Sequence, residues 1–212
     1  VAPVPVLFFT TRLGSGGAEM HLLRLLNHFD RRLIQPRLAV ARPGGNYEHL
    51  LRPEIPIHHL GSGRIRSSTL SLIGAIRPLR HLIGKVRPAV VAGILDPAVG
   101  ALGRAVSGLR GAERPRLVAC LQNNFSEENR RRKMAWLVQP SINRGFQNAD
   151  QIIALSRGAA DDMARVLPAT AGKLRVIFNA AFDETLIARS QEACPLKREP
   201  GVPQLVCCGR LV

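Results

Sequence analysis

The feature that most constrains the fold is an alternation of short apolar runs with longer segments whose apolar residues recur at helical spacing. The runs have the length of buried strands, and the longer segments have the length of helices. Such an alternation is typical of an α/β domain in which helices cover both faces of a doubly wound, mostly parallel sheet. About seven strands are predicted in this way, at residues 6–11, 36–41, 55–60, 89–94, 116–121, 151–155 and 174–178.

One long helix is predicted to begin after Ser126, a residue type suited to the N-cap, with Glu127 and Glu128 in its first turn. Residues 130–133, Arg-Arg-Arg-Lys, form a basic cluster near its start. At about 100° per residue, Trp136 falls on the side of Arg132 and Lys133. The apolar face of this predicted helix consists of Met134, Leu137, Val138, Ile142 and Phe146.

A glycine-rich turn, residues 13–19 with the sequence LGSGGAE, follows the first predicted strand and is called the glycine loop below. A turn of this kind brings backbone N–H groups close to a ligand at the positive end of a helix dipole, which favours phosphate. The dinucleotide fingerprint is not matched, because Glu19 stands in place of its third glycine, and no Gly-Lys-Ser/Thr of a P-loop follows. A tight turn without a ligand is the alternative interpretation.

The chain is strongly basic, with 30 Lys and Arg against 15 Asp and Glu and a formal net charge of +15. Most of the basic residues are arginines, which bind phosphate groups, nucleic acids or anionic membranes, or simply lie on a solvated surface. Aromatic residues make up 4% of the chain, too few for a base-stacking surface. We therefore expect no nucleic-acid partner.

The cysteine and histidine spacings give no sign of a metal site or a disulfide framework. Cys120, Cys194, Cys207 and Cys208 include no CxxC pair, and His58 and His59 point to opposite faces of a predicted strand. The N-terminal residues lack the basic region of a signal peptide, and no apolar run approaches about 18 residues. These features predict a cytoplasmic protein.

The composition changes after Asp183 and predicts a domain boundary there. Residues 184–204 contain three prolines and no clear period, as expected for a linker. Residues 205–212 begin with the apolar run of a further strand. We therefore expect one domain at residues 1–183, a linker, and the start of a truncated second domain in a longer protein.

Four stretches occur in an order that resembles the N-terminal half of a glycosyltransferase family 4 enzyme with the GT-B fold: LGSGGAE, ADQIIALSRGAADDM, KLRVIFNAAFD and LVCCGRLV. The resemblance implies two facing Rossmann-like domains with three layers each, of which this chain supplies the acceptor side. It also implies a nucleotide-diphosphate sugar as co-substrate, retention of the anomeric configuration, and no cofactor or metal. Preorganised N–H groups and basic side chains would stabilise the charge on the leaving diphosphate.

The resemblance also assigns candidate site residues, although it leaves the catalytic residues unknown. Gly16 and Gly17 match glycines whose backbone faces a diphosphate or the acceptor, and Arg210 matches an arginine that contacts donor phosphate. Many members carry a histidine after the fifth strand, where this chain has Asn123 and Asn124; one of these amides lines the cleft, or they form an Asx turn. Asp96 follows the fourth strand, where it faces the cleft or caps the next helix.

The leading hypothesis is a glycosyltransferase that moves a sugar from a nucleotide sugar to a glycan or lipid-linked acceptor, with this fragment inactive by itself. A second hypothesis is a module that binds an anionic membrane surface through the basic cluster and Trp136, at the inner face of the membrane. A third is a nucleotide-sugar epimerase of the same architecture. Fold analogy alone does not decide among them.

Overall fold

A parallel sheet forms the centre of the protein in a computed structural model that describes residues 2–64, 67–132, 135–180, 184–193, 201, 203 and 205. The described residues contain seven strands in the order β3-β2-β1-β4-β5-β6-β7, and every neighbouring pair is parallel. The strands are β1 (Val4–Thr10), β2 (Ile34–Val40), β3 (Ile57–His59), β4 (Val90–Ile94), β5 (Arg116–Leu121), β6 (Gln151–Ala154) and β7 (Leu174–Val176). All seven predicted strands are confirmed.

Helices cover both faces of the sheet, because alternate residues of each strand are buried on opposite sides. Leu7 and Phe9 of β1 belong to the larger core, and Val6 and Phe8 belong to the smaller one. The larger core packs against α2 (Ser68–Val86), α3 (Asp96–Val106), α5 (Ala135–Gln147) and α6 (Arg157–Val166), and the smaller core packs against α1 (Gly17–His28). The three predicted layers are therefore present.

The strand order reverses its direction between β1 and β4, which are neighbours in the sheet. From β1 the chain proceeds to β2 on one side, whereas from β4 it proceeds to β5 on the other. The loops after β1 and β4 therefore diverge and leave a crevice outside the carboxyl ends of these strands, where ligands bind in open α/β sheets. The glycine loop and Asp96 both lie at this point.

The long helix predicted after Ser126 is two helices, and its predicted N-cap was wrong. Helix α4 (Phe125–Arg131) begins one residue before Ser126, with Asn124 in the N-cap position. The Ser126 backbone N–H donates to Asp162 Oδ2 at 2.8 Å, and buried Phe125 packs edge-on against Phe146. These tertiary contacts fix the start of α4. The chain leaves the helix at Arg132, which has extended backbone angles.

The chain divides into two units, residues 1–180 and 181–212. The sheet and helices α1 to α6 belong to the first unit. In the second unit the structure describes helix α7 (Glu184–Ser190), within the segment predicted as a linker. The predicted strand at residues 205–208 and the candidate Arg210 lie outside the described residues, apart from Leu205. The predicted domain boundaries remain predictions.

Candidate functional site

The glycine loop passes directly into α1, with Gly16 in the N-cap position and Gly17 as the first helical residue. The Glu19 side chain turns back over this loop. A Cβ built on Gly16 would overlap Glu19 Oε2, and one built on Gly14 would lie 3.5 Å from Glu19 Oε1. Nothing lies within 4 Å of the corresponding position at exposed Gly17. The positive end of the α1 dipole therefore has a carboxylate beside it, while Gly17 leaves its own side open.

The segment after β2 packs against the glycine loop and donates two hydrogen bonds to it. The Tyr47 backbone N–H donates to the Leu13 carbonyl at 3.1 Å, and the Tyr47 hydroxyl donates to the Ser15 carbonyl at 3.3 Å. Gly45 packs so closely that a Cβ on it would overlap the Leu13 carbonyl oxygen. The sequence analysis missed this support; the only signals for it were the Pro-Gly-Gly turn before Tyr47 and the fact that Tyr47 is the single tyrosine.

Glu48 anchors the same segment at its other end. Its Oε1 accepts from the Gly45 backbone N–H at 2.9 Å, and its Oε2 lies 3.0 Å from Nε2 of His59 at the end of β3. The loops after β1, β2 and β3 are thus connected by hydrogen bonds along the carboxyl edge of the sheet. This connection holds the glycine loop in one position.

Asp96 is the first residue of α3, and it is buried rather than open to the crevice. Leu95 precedes it in the N-cap position with φ of 75°, so Asp96 does not serve as the N-cap. Burial raises the pKa of Asp96 to about 6, against the opposing effect of the Arg132 guanidinium, while the charge of Glu128 raises it further. Arg132 Nη2 lies 3.3 Å from Asp96 Oδ2.

Arg132 belongs to the predicted basic cluster, but its side chain points into the protein. Its Nη1 donates to Gln139 Oε1 at 2.7 Å, and Gln139 Nε2 donates to Asn143 Oδ1 at 2.8 Å. Arg130 and Arg131 are exposed, and both contact Glu127. Lys133 lies outside the described residues. The exposed part of the basic cluster is therefore smaller and more nearly neutral than the sequence suggests.

Asn123 and Asn124 are both exposed at the carboxyl end of β5. Asn123 Nδ2 donates to Glu128 Oε1 at 3.4 Å, and the Asn124 side chain makes no capping hydrogen bond although Asn124 occupies the N-cap position. Both amides therefore retain hydrogen-bonding capacity toward solvent or a ligand.

The segment after β7 returns toward the crevice, which the sequence analysis did not foresee. Asn179 Nδ2 donates to Gln122 Oε1 at 3.0 Å, at the end of β5. The next residue, Ala180, forms a backbone hydrogen bond with His21 of α1. Burial lowers the pKa of His21, with a smaller contribution from the charge of Arg24, and the Ala180 hydrogen bond opposes both. The segment therefore passes from β7 to the side of α1.

The described residues contain neither a cluster suited to a metal ion nor a membrane-spanning helix. No three His, Cys, Asp or Glu side chains among them lie close enough together to hold a metal ion. In the same part of the chain, no helix combines the length and the apolar character needed to cross a membrane.

Residues 15–181, well over half of the chain, match the model of the family described as Glycosyltransferase Family 4. The chain belongs to glycosyltransferase family 4. The match begins inside the glycine loop and ends just after the segment that returns from β7, so this family 4 region contains Gly16, Gly17, Asp96 and the two amides after β5. A search of curated protein sequences finds no significant match.

Solved structures agree with the family assignment at the level of the fold. HepE from Anabaena, determined with UDP and glucose, matches with a TM-score of 0.64 and 20% identity over 85% of this chain and 45% of its own. MurG from Acinetobacter baumannii matches with a TM-score of 0.55 and 18% identity, over 86% and 47%. UDP-N-acetylglucosamine 2-epimerase from Rickettsia bellii matches with a TM-score of 0.62 and 14% identity, over 90% of this chain and 49% of its own.

These likenesses confirm the predicted fold, a Rossmann-like α/β domain of the kind that forms the N-terminal half of a GT-B protein. The family 4 chain spans about half the length of each of these solved structures. Because an epimerase is among these structures, the fold by itself does not identify the reaction.

Proposed function

We propose that this chain forms the acceptor side of a glycosyltransferase that moves a sugar from a nucleotide-diphosphate sugar to a glycan or lipid-linked acceptor. The observation that carries the proposal is the family match over residues 15–181. The UDP and glucose bound to HepE support a nucleotide sugar as the co-substrate. The position of the glycine loop at the β1/β4 crevice supports a ligand site there.

The chemistry requires stabilisation of the negative charge that develops on the diphosphate oxygen as the glycosidic bond breaks. Backbone N–H groups at the start of α1 are suited to this, because they are fixed before the reaction and point outward at the positive end of a helix dipole. Open Gly17 is the position where an anion can approach most closely. By resemblance, Arg210 adds a positive charge on the donor side. We propose that these groups act without a metal or cofactor.

The acceptor hydroxyls need hydrogen-bond partners on this half of the crevice. Exposed Asn123 and Asn124 offer both donors and acceptors at the end of β5. We assign Asp96 a positioning role, because it is buried and contacts Arg132 rather than the crevice. We assign no residue of this chain as the acceptor of the proton that the attacking hydroxyl releases.

The proposal is tested by measuring sugar transfer from a panel of UDP-sugars with the protein extended by the residues encoded after Val212. We expect transfer with retained configuration at the anomeric carbon, read by NMR of the product, and no loss of rate with a metal chelator. We expect the 212-residue chain to be inactive under the same conditions. Equal rates for both forms would contradict the assignment of this chain to one side of the cleft.

A matched pair of glycine variants tests the glycine loop. Gly17→Ala adds a methyl group where nothing lies within 4 Å, and Gly74→Ala does the same on α2, away from the crevice. Both should fold like the wild type. We expect Gly17→Ala to lower the transfer rate at least tenfold and Gly74→Ala to leave it unchanged. If both variants keep the full rate, no ligand approaches the start of α1.

The same assay separates the transferase from an epimerase, the alternative raised by the R. bellii match. An epimerase converts one free UDP-sugar into its epimer without an acceptor, whereas the proposed transferase releases UDP and extends an acceptor. The family match supports the transferase.

We also propose that the protein works in the cytoplasm, at the inner face of the membrane. The supporting observation is Trp136, which is 76% exposed near the start of α5 rather than packed within the domain. An exposed tryptophan on a strongly basic protein suits an anionic membrane surface. Trp136→Ser should reduce sedimentation with anionic vesicles at low salt; undiminished sedimentation would exclude this contact.

A further inference from the structure

An apolar cavity of about 360 Å³ lies among helices α2, α3 and α5, outside the residues assigned above to sugar transfer. Two small residues of α3, Gly100 and Ala101, line it. Its walls are aliphatic side chains from the two flanking helices: Leu72, Ile73 and Ile76 of α2, and Leu137, Val138 and Ile142 of α5. The volume is near the lower end of the range for small-molecule sites.

The mouth of this cavity is apolar and open to solvent. Ile73 and Leu137 each line the cavity and are each 51% exposed. Trp136, next to Leu137, and Leu70, one turn before Ile73, are also exposed. Apolar side chains gathered in this way around a cavity indicate a binding site rather than the scattered exposure that is normal on protein surfaces.

One end of the cavity is polar and reaches the crevice. Thr11 follows β1 directly, Pro97 follows Asp96, and both line the cavity together with Ser68 at the start of α2. The Arg42 backbone N–H donates to the Thr11 carbonyl at 2.8 Å, and Arg42 Nη1 donates to the Ser68 hydroxyl at 3.4 Å. Arg42 forms no ion pair within the described part of the chain, so its charge is available to an anion.

The cavity therefore combines an aliphatic channel with a hydroxyl-bearing end at the crevice, and the charge of Arg42 lies beside that end through its contact with Ser68. We propose that it holds the hydrocarbon chain of an amphiphilic acceptor, whose phosphate-bearing head lies beside Arg42 and Thr11. This inference rests on the proposed function, and it selects the lipid-linked acceptor over a soluble glycan. Pro97 and Arg104 of α3 both line the cavity, and they are about 10 Å apart along the helix axis. The cavity can therefore cover a hydrocarbon chain of about this length.

The binding test uses monomeric n-alkyl phosphates of 6, 8, 10 and 12 carbons, kept below their micelle concentrations and titrated by calorimetry. We expect affinity to rise by up to about fourfold for each added methylene until the cavity is filled. The double variant Ile73→Ser/Leu137→Ser should weaken binding of the longest phosphate at least tenfold and remove the dependence on chain length. Arg42→Gln should weaken all four phosphates by a similar factor.

Leu33→Ser is the matched control, because Leu33 is also an exposed aliphatic residue but lies outside the cavity lining, before β2. Its binding should equal that of the wild type. Affinities that do not depend on chain length, or a double variant that binds like Leu33→Ser, would overturn the proposal. So would loss of vesicle binding in the double variant with unchanged binding of monomeric phosphates, because the patch would then contact a membrane surface.

Failure of this inference and failure of the proposed function give different results. Transfer of sugar to acceptors at a rate that is indifferent to their alkyl chain would overturn the cavity proposal and leave the transferase intact. Chain-length-dependent binding with no sugar transfer by the extended protein would overturn the proposed function and leave the cavity as an amphiphile site.

Discussion

Arg132 Nη2 lies 3.3 Å from Asp96 Oδ2, and this contact joins the end of α4 to the start of α3 beside the crevice. The two side chains are 13% and 4% exposed. A pair buried to this degree gives up much of its hydration, so its net stabilisation is small, whereas removal of one partner is costly. Arg132 makes this contact from a position where the backbone is extended, just after the last residue of α4.

The raised pKa of Asp96 predicts a specific dependence of stability on pH. Because the folded state holds this proton more tightly than the unfolded state, the group stabilises the fold at low pH, and that contribution is lost as pH rises through about 6. From pH 7 to pH 5, Asp96 should add about 1 kcal/mol to the free energy of unfolding. Asp96→Asn lacks this contribution.

The comparison with Asp96→Asn is needed because His21 and His58 act in the opposite direction. Burial lowers the pKa of both histidines, so the unfolded state takes up their protons first and acidification destabilises the fold. Urea unfolding at pH 5, 6, 7 and 8 gives the pH dependence of the free energy of unfolding for the wild type and for Asp96→Asn. Parallel curves for the wild type and Asp96→Asn would mean that Asp96 does not titrate in this range.

Two arginines of the basic cluster should respond very differently to the same substitution. Arg132→Met leaves Asp96 buried without its partner and should lower the free energy of unfolding by about 3 kcal/mol at pH 7. Arg130→Met removes an exposed side chain that contacts Glu127, and should change the free energy of unfolding by less than about 0.5 kcal/mol. The cost of Arg132→Met should shrink at pH 5, where Asp96 is protonated. Equal costs for the two variants would contradict the inward position of Arg132.

The sheet could be predicted because strands buried on both faces are continuous apolar runs, such as Val6 to Phe9 in β1. The division between α4 and α5 could not be predicted, because residues 126–133 are all polar and mostly helix-forming Glu, Arg and Lys, so the sequence gives no sign of a break there. Where α4 ends, Arg132 contacts Asp96, and these two residues are 36 positions apart in the chain. Local periodicity contains no information about such a pair.

The candidate site shows the same limit. Its position was predictable, since the glycine loop and Asp96 follow the strands at which the order reverses. The return of the chain toward the crevice after β7 was not predictable, because it involves a hydrogen bond between Gln122 and Asn179, which are 57 positions apart. The orientation of Glu19 was also hidden, because a sequence places this residue on α1 without giving the direction of its side chain.

The support of the glycine loop by Gly45 predicts a large steric effect. In Gly45→Ala the new methyl group overlaps the Leu13 carbonyl oxygen, so one of the two loops has to move, at a cost of about 1–3 kcal/mol. Gly74→Ala is the control and should be neutral or stabilising by about 0.5–1 kcal/mol, because nothing lies near it on α2. Both values follow from urea unfolding. Wild-type stability in Gly45→Ala would show that the two loops separate freely.

The carboxylate of Glu19 predicts an electrostatic effect on ligand binding. It rests against Gly14 and Gly16 at the positive end of α1, where it repels an incoming phosphate group. Glu19→Gln should therefore bind inorganic pyrophosphate about two- to fivefold more tightly at low salt, which corresponds to about 0.3–1 kcal/mol, with the gain reduced at high salt. Calorimetric titration measures both values. Glu113→Gln, on an exposed turn before β5, serves as the control and should bind like the wild type. Weaker binding by Glu19→Gln would mean instead that the carboxylate holds the loop in its binding conformation.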